Sequence, residues 1–208
     1  MNHLLELSQS LSSKLCHEMA GLIGAINNCI GLIEATDEVT RHTAKELINI
    51  NSEKLVALLK FYRVSYGISH ETEHIGYNEL KNLINGFIES HKIQAKFEDL
   101  IDPSLPIGLG KIMLCLVISA CGNLVKEGQI NIGVNIAKNN YSIKLKVSGQ
   151  SLKLNPNKVE ILLEGSRASE ISVQNSHEYY LHYLCQKEGY KIAVDQFDDA
   201  IEYSVKTQ

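Results

Sequence analysis

Two consecutive helical patterns, each about thirty residues long and separated by one acidic turn, constrain this chain more than any other feature. Apolar residues recur at Leu4, Leu11, Leu15, Met19, Leu22, Ile26, Ile30 and Ile33 in steps of three, four or seven, the period of an amphipathic helix. The pattern predicts a first helix from about Leu4 to Ala35. Asp37 and Glu38 follow Thr36 where acidic residues favour a new helix N-terminus. A second stripe runs through Ala44, Leu47, Ile48, Leu55, Leu58, Leu59, Tyr62 and Tyr66 and stops at Gly67. Joined by a tight turn, the two helices form an antiparallel hairpin. Leu5, Cys16 and Ile23 on the first helix and Ile50, Phe61 and Val64 on the second still need cover. A second copy of the chain supplies it, so the expectation is a dimeric four-helix bundle. Asn51 falls on the second stripe, where a polar residue fixes register at a cost in stability.

His17 stands off the first stripe. At about 100° per residue it points roughly 160° away from both Leu15 and Met19, towards solvent. Ser10, Ser13, Gly21, Gly24, Asn28 and Gly31 share its face. Three glycines in one helix each cost roughly 1 kcal/mol against alanine, and a bundle alone gives no reason to accept that on an exposed face. A strip of small residues lets another surface approach the helix backbone. A neutral imidazole within it is a nucleophile at neutral pH, since its ordinary pKa is about 6.5. Glu18 is placed to accept the imidazole N–H, although adjacent residues on a helix splay by about 100°.

After Gly67 the periodicity changes. Ile68 to Gly76 reads as a connector. His70 and His74 with Glu71 and Glu73 have metal-like spacing there, but a solvated loop accounts for them better. A helix is expected over Tyr77 to His91, a short strand over Ile93 to Phe97, and a buried helix over Leu109 to Lys126, which is apolar on nearly every side. Gln129 to Ile136 and Tyr141 to Val147 alternate like strands around Asn139-Asn140, a hairpin signal. Val159 to Leu163 reads as a short helix or strand, Glu178 to Glu188 as a helix, and Tyr190 to Val194 and Ala200 to Val205 as closing strands. His177 and His182 read as surface or interface residues. The fold class is α+β, with a hairpin over residues 1–67 and an α/β sandwich over 75–208 built on a mostly antiparallel sheet.

Composition narrows the partners. The net charge is −4 and tryptophan is absent, which argues against a general nucleic-acid surface. The five cysteines are odd in number and form no CxxC pair, so they read as reduced thiols. No signal peptide is evident, and the longest apolar run, Ile112 to Ile118, is too short to span a bilayer. A cytoplasmic protein without membrane attachment is expected.

Leu15-Cys16-His17-Glu18, Gly24-Ala25-Ile26 and Gly31-Leu32-Ile33-Glu34 resemble the phosphoacceptor helix of ChpT-type bacterial histidine phosphotransferases. The run Lys54 to Gly67 resembles the end of that family's second helix, and the order of elements matches through Gly189 to Val194. The resemblance implies hairpins that dimerise as in sensor histidine kinases, followed by a degenerate kinase ATP-binding domain. It assigns the phosphoacceptor to His17, the following acid to Glu18 and the second-helix arginine to Arg63. Leu22 replaces a proline that many relatives carry five residues after the histidine, which leaves the helix straighter.

An ATP site of the kinase type needs an asparagine on the buried helix, an Asp-x-Gly-x-Gly loop and a later glycine-rich loop. The corresponding register gives Cys115 and Ser119, the loop reads Ser148-Gly149-Gln150-Ser151, and Leu154 to His177 contains no Gly-x-Gly. The expected enzyme is therefore a histidine phosphotransferase and not an ATP-dependent kinase. His17 and Glu18 would be its catalytic residues, and Ser13, Lys14, Gly21, Gly24, Asn28, Gly31 and Arg63 its partner contacts. Arg63 is expected opposite about Leu11. The phosphoryl group would come from the receiver domain of a hybrid kinase and go to response-regulator receivers. Magnesium would be supplied by the receiver, with no cofactor or metal of the protein's own. The alternative is a non-enzymatic dimeric adaptor that binds receivers.

Overall fold

The computed structural model describes residues 2–68, 73–100, 104–137, 140–165 and 171–208. Helix α1 spans Asn2–Ile30 and α2 spans Glu38–Tyr66. The first helix ends short of the predicted Ala35. Asn27, Asn28 and Gly31 are weak helix formers, and the chain closes instead through Leu32 N–H to Cys29 O at 3.0 Å and Ile33 N–H to Ile30 O at 3.1 Å. Gly31 thus lies in the turn and not in the helix. Asp37 caps α2 by accepting from the Thr40 N–H and hydroxyl at 2.9 and 2.7 Å, which holds its carboxyl below the usual carboxylate range. Leu22 leaves α1 unbroken.

The rest of the chain is a sheet covered by helices. Strand β1 (His74–Gly76) pairs with β3 (Ser104–Pro106) as a small antiparallel ribbon, too short to read from sequence. Between them lie α3 (Tyr77–Ile88) and β2 (Ile93–Phe97). Then follow α4 (Ile107–Asn123), β4 (Gly128–Ala137), β5 (Asn140–Gly149), α5 (Pro156–Glu164), α6 (Ser176–Lys187), β6 (Tyr190–Gln196) and β7 (Ala200–Thr207). The sheet order is β2-β4-β5-β7-β6, antiparallel except for the β2–β4 pair. That pair is parallel because α4 carries the chain across between its strands. His70 and Glu71 of the expected solvated loop and Asn139 of the hairpin signal lie outside the described residues. His74 opens β1.

Helix α4 is the centre of the core, with Leu109, Ile112, Met113, Leu114, Leu116 and Val117 fully buried. It faces Ile130, Ile132, Ile143, Leu145 and Val147 of the sheet in one continuous cluster. The hairpin joins this core. Phe61 and Val64, expected to await a second copy, are covered by the chain itself. Phe61 is fully buried and stacks on Phe87 of α3 with ring centroids 4.1 Å apart, and Val64 packs against the same cluster. Leu5, Cys16, Ile23 and Ile50 remain exposed. Truncating Phe61 to alanine should therefore cost about 3–5 kcal/mol of global stability by chemical denaturation, with loss of cooperativity between the hairpin and the sandwich.

Three polar ties reinforce that seam. Lys111 donates to Gly67 O at 2.6 Å, Tyr180 to Ser65 O at 2.9 Å, and Tyr66 meets His177 at 2.7 Å. Gly67 is required by space: a Cβ there would stand 2.1 Å from Arg63 O.

Candidate functional site

His17 is exposed near the middle of α1, on a face it shares with exposed Ser13, Gly21 and Asn28 and half-exposed Gly24. A Cβ built on Gly21 or Gly24 would meet nothing within 4 Å. The strip is therefore open space beside the backbone and is not shaped by packing within the chain. Gly31 is exposed at its end, in the turn.

Glu18 does not serve the imidazole as expected. Its Oε2 accepts a short hydrogen bond from the Tyr62 hydroxyl of α2, and among the described residues none joins it to His17. One hundred degrees of helix rotation swings the carboxylate into the seam between the helices, where Tyr62 is the nearest donor. Burial, and then this bond, push the Tyr62 phenol far above its ordinary pKa, so it stays a donor. Tyr62 in turn is fixed edge-on against Phe61 and Phe87. Nothing in the spacing of 44 residues announced this contact; only the hairpin register sets it.

Exposed Arg63 lines a groove of about 570 Å³ with Leu15, Met19, Val56, Leu59 and Lys60. Leu15 and Met19 of this groove flank His17 along α1. Two cations, Lys60 and Arg63, thus border an apolar groove beside the histidine's turn of helix.

A second polar centre lies where α1 and α2 meet the sandwich. His177 and His182, expected as surface or interface residues, are buried. His182 Nδ1 bonds to Leu162 O at 2.9 Å, tying α6 to α5. His177 Nε2 lies 3.0 Å from Cys115 O and 3.1 Å from the Ser119 hydroxyl, and its Nδ1 lies 2.7 Å from the Tyr66 hydroxyl. A carbonyl oxygen only accepts, so Nε2 carries the proton and Nδ1 accepts from Tyr66. Burial first, then the Lys14 ammonium, push the His177 pKa down to about 3, with Lys158 adding to the shift and the bond to Cys115 O opposing it. It is a neutral crosslink between α2, α4 and α6.

Lys14, expected to face a partner, instead lines a cavity of about 300 Å³ with Ser119 and Asn123 of α4, Lys158 of α5 and Glu178 of α6. Ser119, which the kinase-type resemblance sets where a nucleotide site would need an asparagine, lines this cavity. Asn123, one turn beyond Ser119 on the same helix, carries a carboxamide, but it donates to the Tyr203 hydroxyl. Glu178 is paired with Lys158 at 3.0 Å. At the strand exit, a Cβ on Gly149 would lie 2.8 Å from Leu124 Cδ2 and 3.1 Å from Glu127 O, so this glycine serves packing. These residues do not fit a magnesium nucleotide. Among the described residues there is no group of three or more His, Cys, Asp or Glu that could hold a metal ion, and no helix is long and apolar enough to cross a membrane. The cysteines are free, with Cys16 exposed and Cys29, Cys115 and Cys185 buried.

Comparison with known proteins gives concordant matches. A family model described as the histidine phosphotransferase C-terminal domain matches residues 77–200. The protein phosphotransferase ChpT of Brucella abortus (strain 2308) is 23% identical over 205 residues, covering 97% of this chain and 96% of that one. A solved bacterial phosphotransferase superposes with a TM-score of 0.83 at 22% identity, over 97% and 96% of the two chains. The histidine kinase ThkA, solved in complex with the response regulator protein TrrA, gives a TM-score of 0.53 at 15% identity over 99% of this chain and 63% of that one.

Proposed function

The chain belongs to the histidine phosphotransferase family, and from that premise we propose that His17 carries a phosphoryl group between receiver domains. An imidazole nitrogen of His17 attacks the phosphorus of an aspartyl phosphate. The N–P bond forms as the P–O bond to the donor carboxylate breaks, and the reverse reaction loads the acceptor aspartate. Both steps are in-line transfers governed by positioning and charge neutralisation. Magnesium belongs to the receiver's acidic pocket. No step draws on ATP, consistent with the residues that stand in the nucleotide position.

The observation that carries this reading is an exposed imidazole in a strip where a missing Cβ leaves open space at Gly21 and Gly24. Ser13, Gly21, Gly24 and Asn28 form the docking strip, with Gly31 at its edge. Arg63 and Lys60 lie where they attract an acidic receiver surface. Glu18 is held by Tyr62 and makes no direct bond to His17. The ThkA structure is of a kinase bound to a response regulator, and a response-regulator receiver is the partner inferred here.

The working form is a homodimer. Ten of the fifteen exposed large hydrophobic residues among those described lie on the hairpin, including Ile23, Ile30, Leu47, Ile50, Val56 and Leu59. So large an apolar surface is the mark of an interface, and a two-fold four-helix bundle buries it.

Incubation with a labelled, phosphorylated receiver domain tests the relay: label should move to this protein and on to a second receiver. Absence of label on the wild-type protein, with binding retained, would establish the adaptor instead. Gly24→Leu tests the strip. It should raise helix stability slightly, since leucine exceeds glycine by about 0.8 kcal/mol in a helix interior. A leucine wedged into a close interface costs more than about 1.4 kcal/mol, so transfer should slow roughly tenfold or more. Unchanged transfer kinetics would remove the strip from the docking surface.

A further inference from the structure

We propose that the cavity between α1, α4, α5 and α6 binds a small organic dianion bearing a hydroxyl group, and that this ligand ties Lys14 of the phosphoacceptor helix to the sandwich. Charge is the first argument. Three ammonium groups, Lys14, Lys153 and Lys158, line a space of about 300 Å³. The carboxylate of Glu178, 5% exposed, neutralises Lys158 at 3.0 Å. Among the described residues no carboxylate stands within ion-pair distance of Lys14 or Lys153. His177 is neutral, and the Lys14 and Lys158 ammoniums help to depress its pKa. The cavity therefore holds two positive charges in excess, inside a concave wall that focuses their field. The N-terminus of α5, with Lys158 in its first turn, adds to the same sign.

Size and polarity refine the ligand. Ile118, Leu154, Val159 and Leu162 form an apolar wall, which a bare inorganic ion would leave unused. The volume sits at the small end of ligand pockets. Glu178 Oε2 is buried without a hydrogen-bond partner, and a ligand hydroxyl would satisfy it. A nucleoside triphosphate brings about four negative charges against two, and its magnesium would find Asn123 bonded to Tyr203 and Glu178 bonded to Lys158. Phosphate monoesters and hydroxydicarboxylates share the required chemistry. Lys14 lies three residues before His17, so an occupied cavity anchors α1 one turn from the phosphoacceptor. The binding claim is independent of the relay itself.

Calorimetry on the full chain tests it, with glycerol 3-phosphate and malate as probes and inorganic phosphate and Mg-ATP as comparators. One of the two probes should bind saturably at one site per chain and more tightly than either comparator; which one binds tells phosphate from carboxylate recognition. Lys153→Met and Lys14→Met should each weaken that probe about tenfold, the worth of one charge-assisted hydrogen bond. Lys96→Met, on strand β2 outside the cavity, should leave binding unchanged. Bound probe should also slow amide exchange in the turn of α1 around Lys14. No saturable binding at millimolar concentration, indifference to both lysine substitutions, or tighter binding of Mg-ATP would overturn the site. Binding without slowed exchange in α1 would overturn the tie to the phosphoacceptor helix.

Discussion

Replacing His17 by alanine should lower label uptake from a phosphorylated receiver by roughly 10³-fold or more, because the variant loses the nucleophile itself and not a group that tunes it. The side chain is exposed and off the apolar stripe. Alanine is a better helix former than any residue it replaces, so thermal stability and self-association should match the wild type. Receiver binding should persist, since the strip of Gly21, Gly24 and Asn28 is untouched. The decisive measurement pairs transfer kinetics with a binding isotherm on the same protein. Transfer at wild-type rate in the variant would move the phosphoacceptor to another residue and dismantle the relay as assigned. Loss of binding together with transfer would make His17 a contact residue and weaken the case for chemistry.

The second large effect is acid instability centred on His177. In the folded chain the imidazole is buried, neutral and bonded on both nitrogens, with its pKa near 3. In the unfolded chain it titrates at about 6.5. Above that pH neither state carries the proton, and the contribution of the neutral crosslink is complete. As pH falls below 6.5 the unfolded chain takes up a proton that the folded chain refuses. Stability should therefore drop by about 1.4 kcal/mol per pH unit until the folded pKa is approached, on the order of 5 kcal/mol in all. Denaturant midpoints between pH 7 and pH 4 measure this, and His177→Gln provides the reference. The variant should be less stable at pH 7, through imperfect replacement of the Tyr66 and Cys115 bonds, but its stability should fall less steeply with acid. Parallel slopes in the two proteins would show that His177 does not carry the dependence.

Several features were legible because they rest on local physics. The second helix start follows from Asp37, whose short side chain caps the Thr40 N–H whatever the rest of the chain does. The buried character of α4 follows from an apolar run without a polar face, and β2 follows from a short strand pattern ending at Phe97. The exposure of His17 needed only the helical period. What was misread involved contacts between segments distant in sequence. Helical rotation predicts where Glu18 points but not that Tyr62 waits there, 44 residues away. Phe61 and Val64 look like dimer residues until α3 arrives to cover them. His177 looks polar and therefore superficial, because its three partners come from two other helices.

The sequence by itself determined the hairpin, the solvent-facing histidine among small residues, and the erosion of the nucleotide motifs, since helical period, side-chain size and missing functional groups are properties of the chain at any register. Only the tertiary structure decided that Arg63 shares a groove with Leu15 and Met19, that Glu18 belongs to Tyr62, and that Lys14 turns inward to a positively charged cavity. Those outcomes depend on how far one helix slides along another and on which side of the sandwich they land. That choice is made by packing the whole core, which no single stretch of residues encodes.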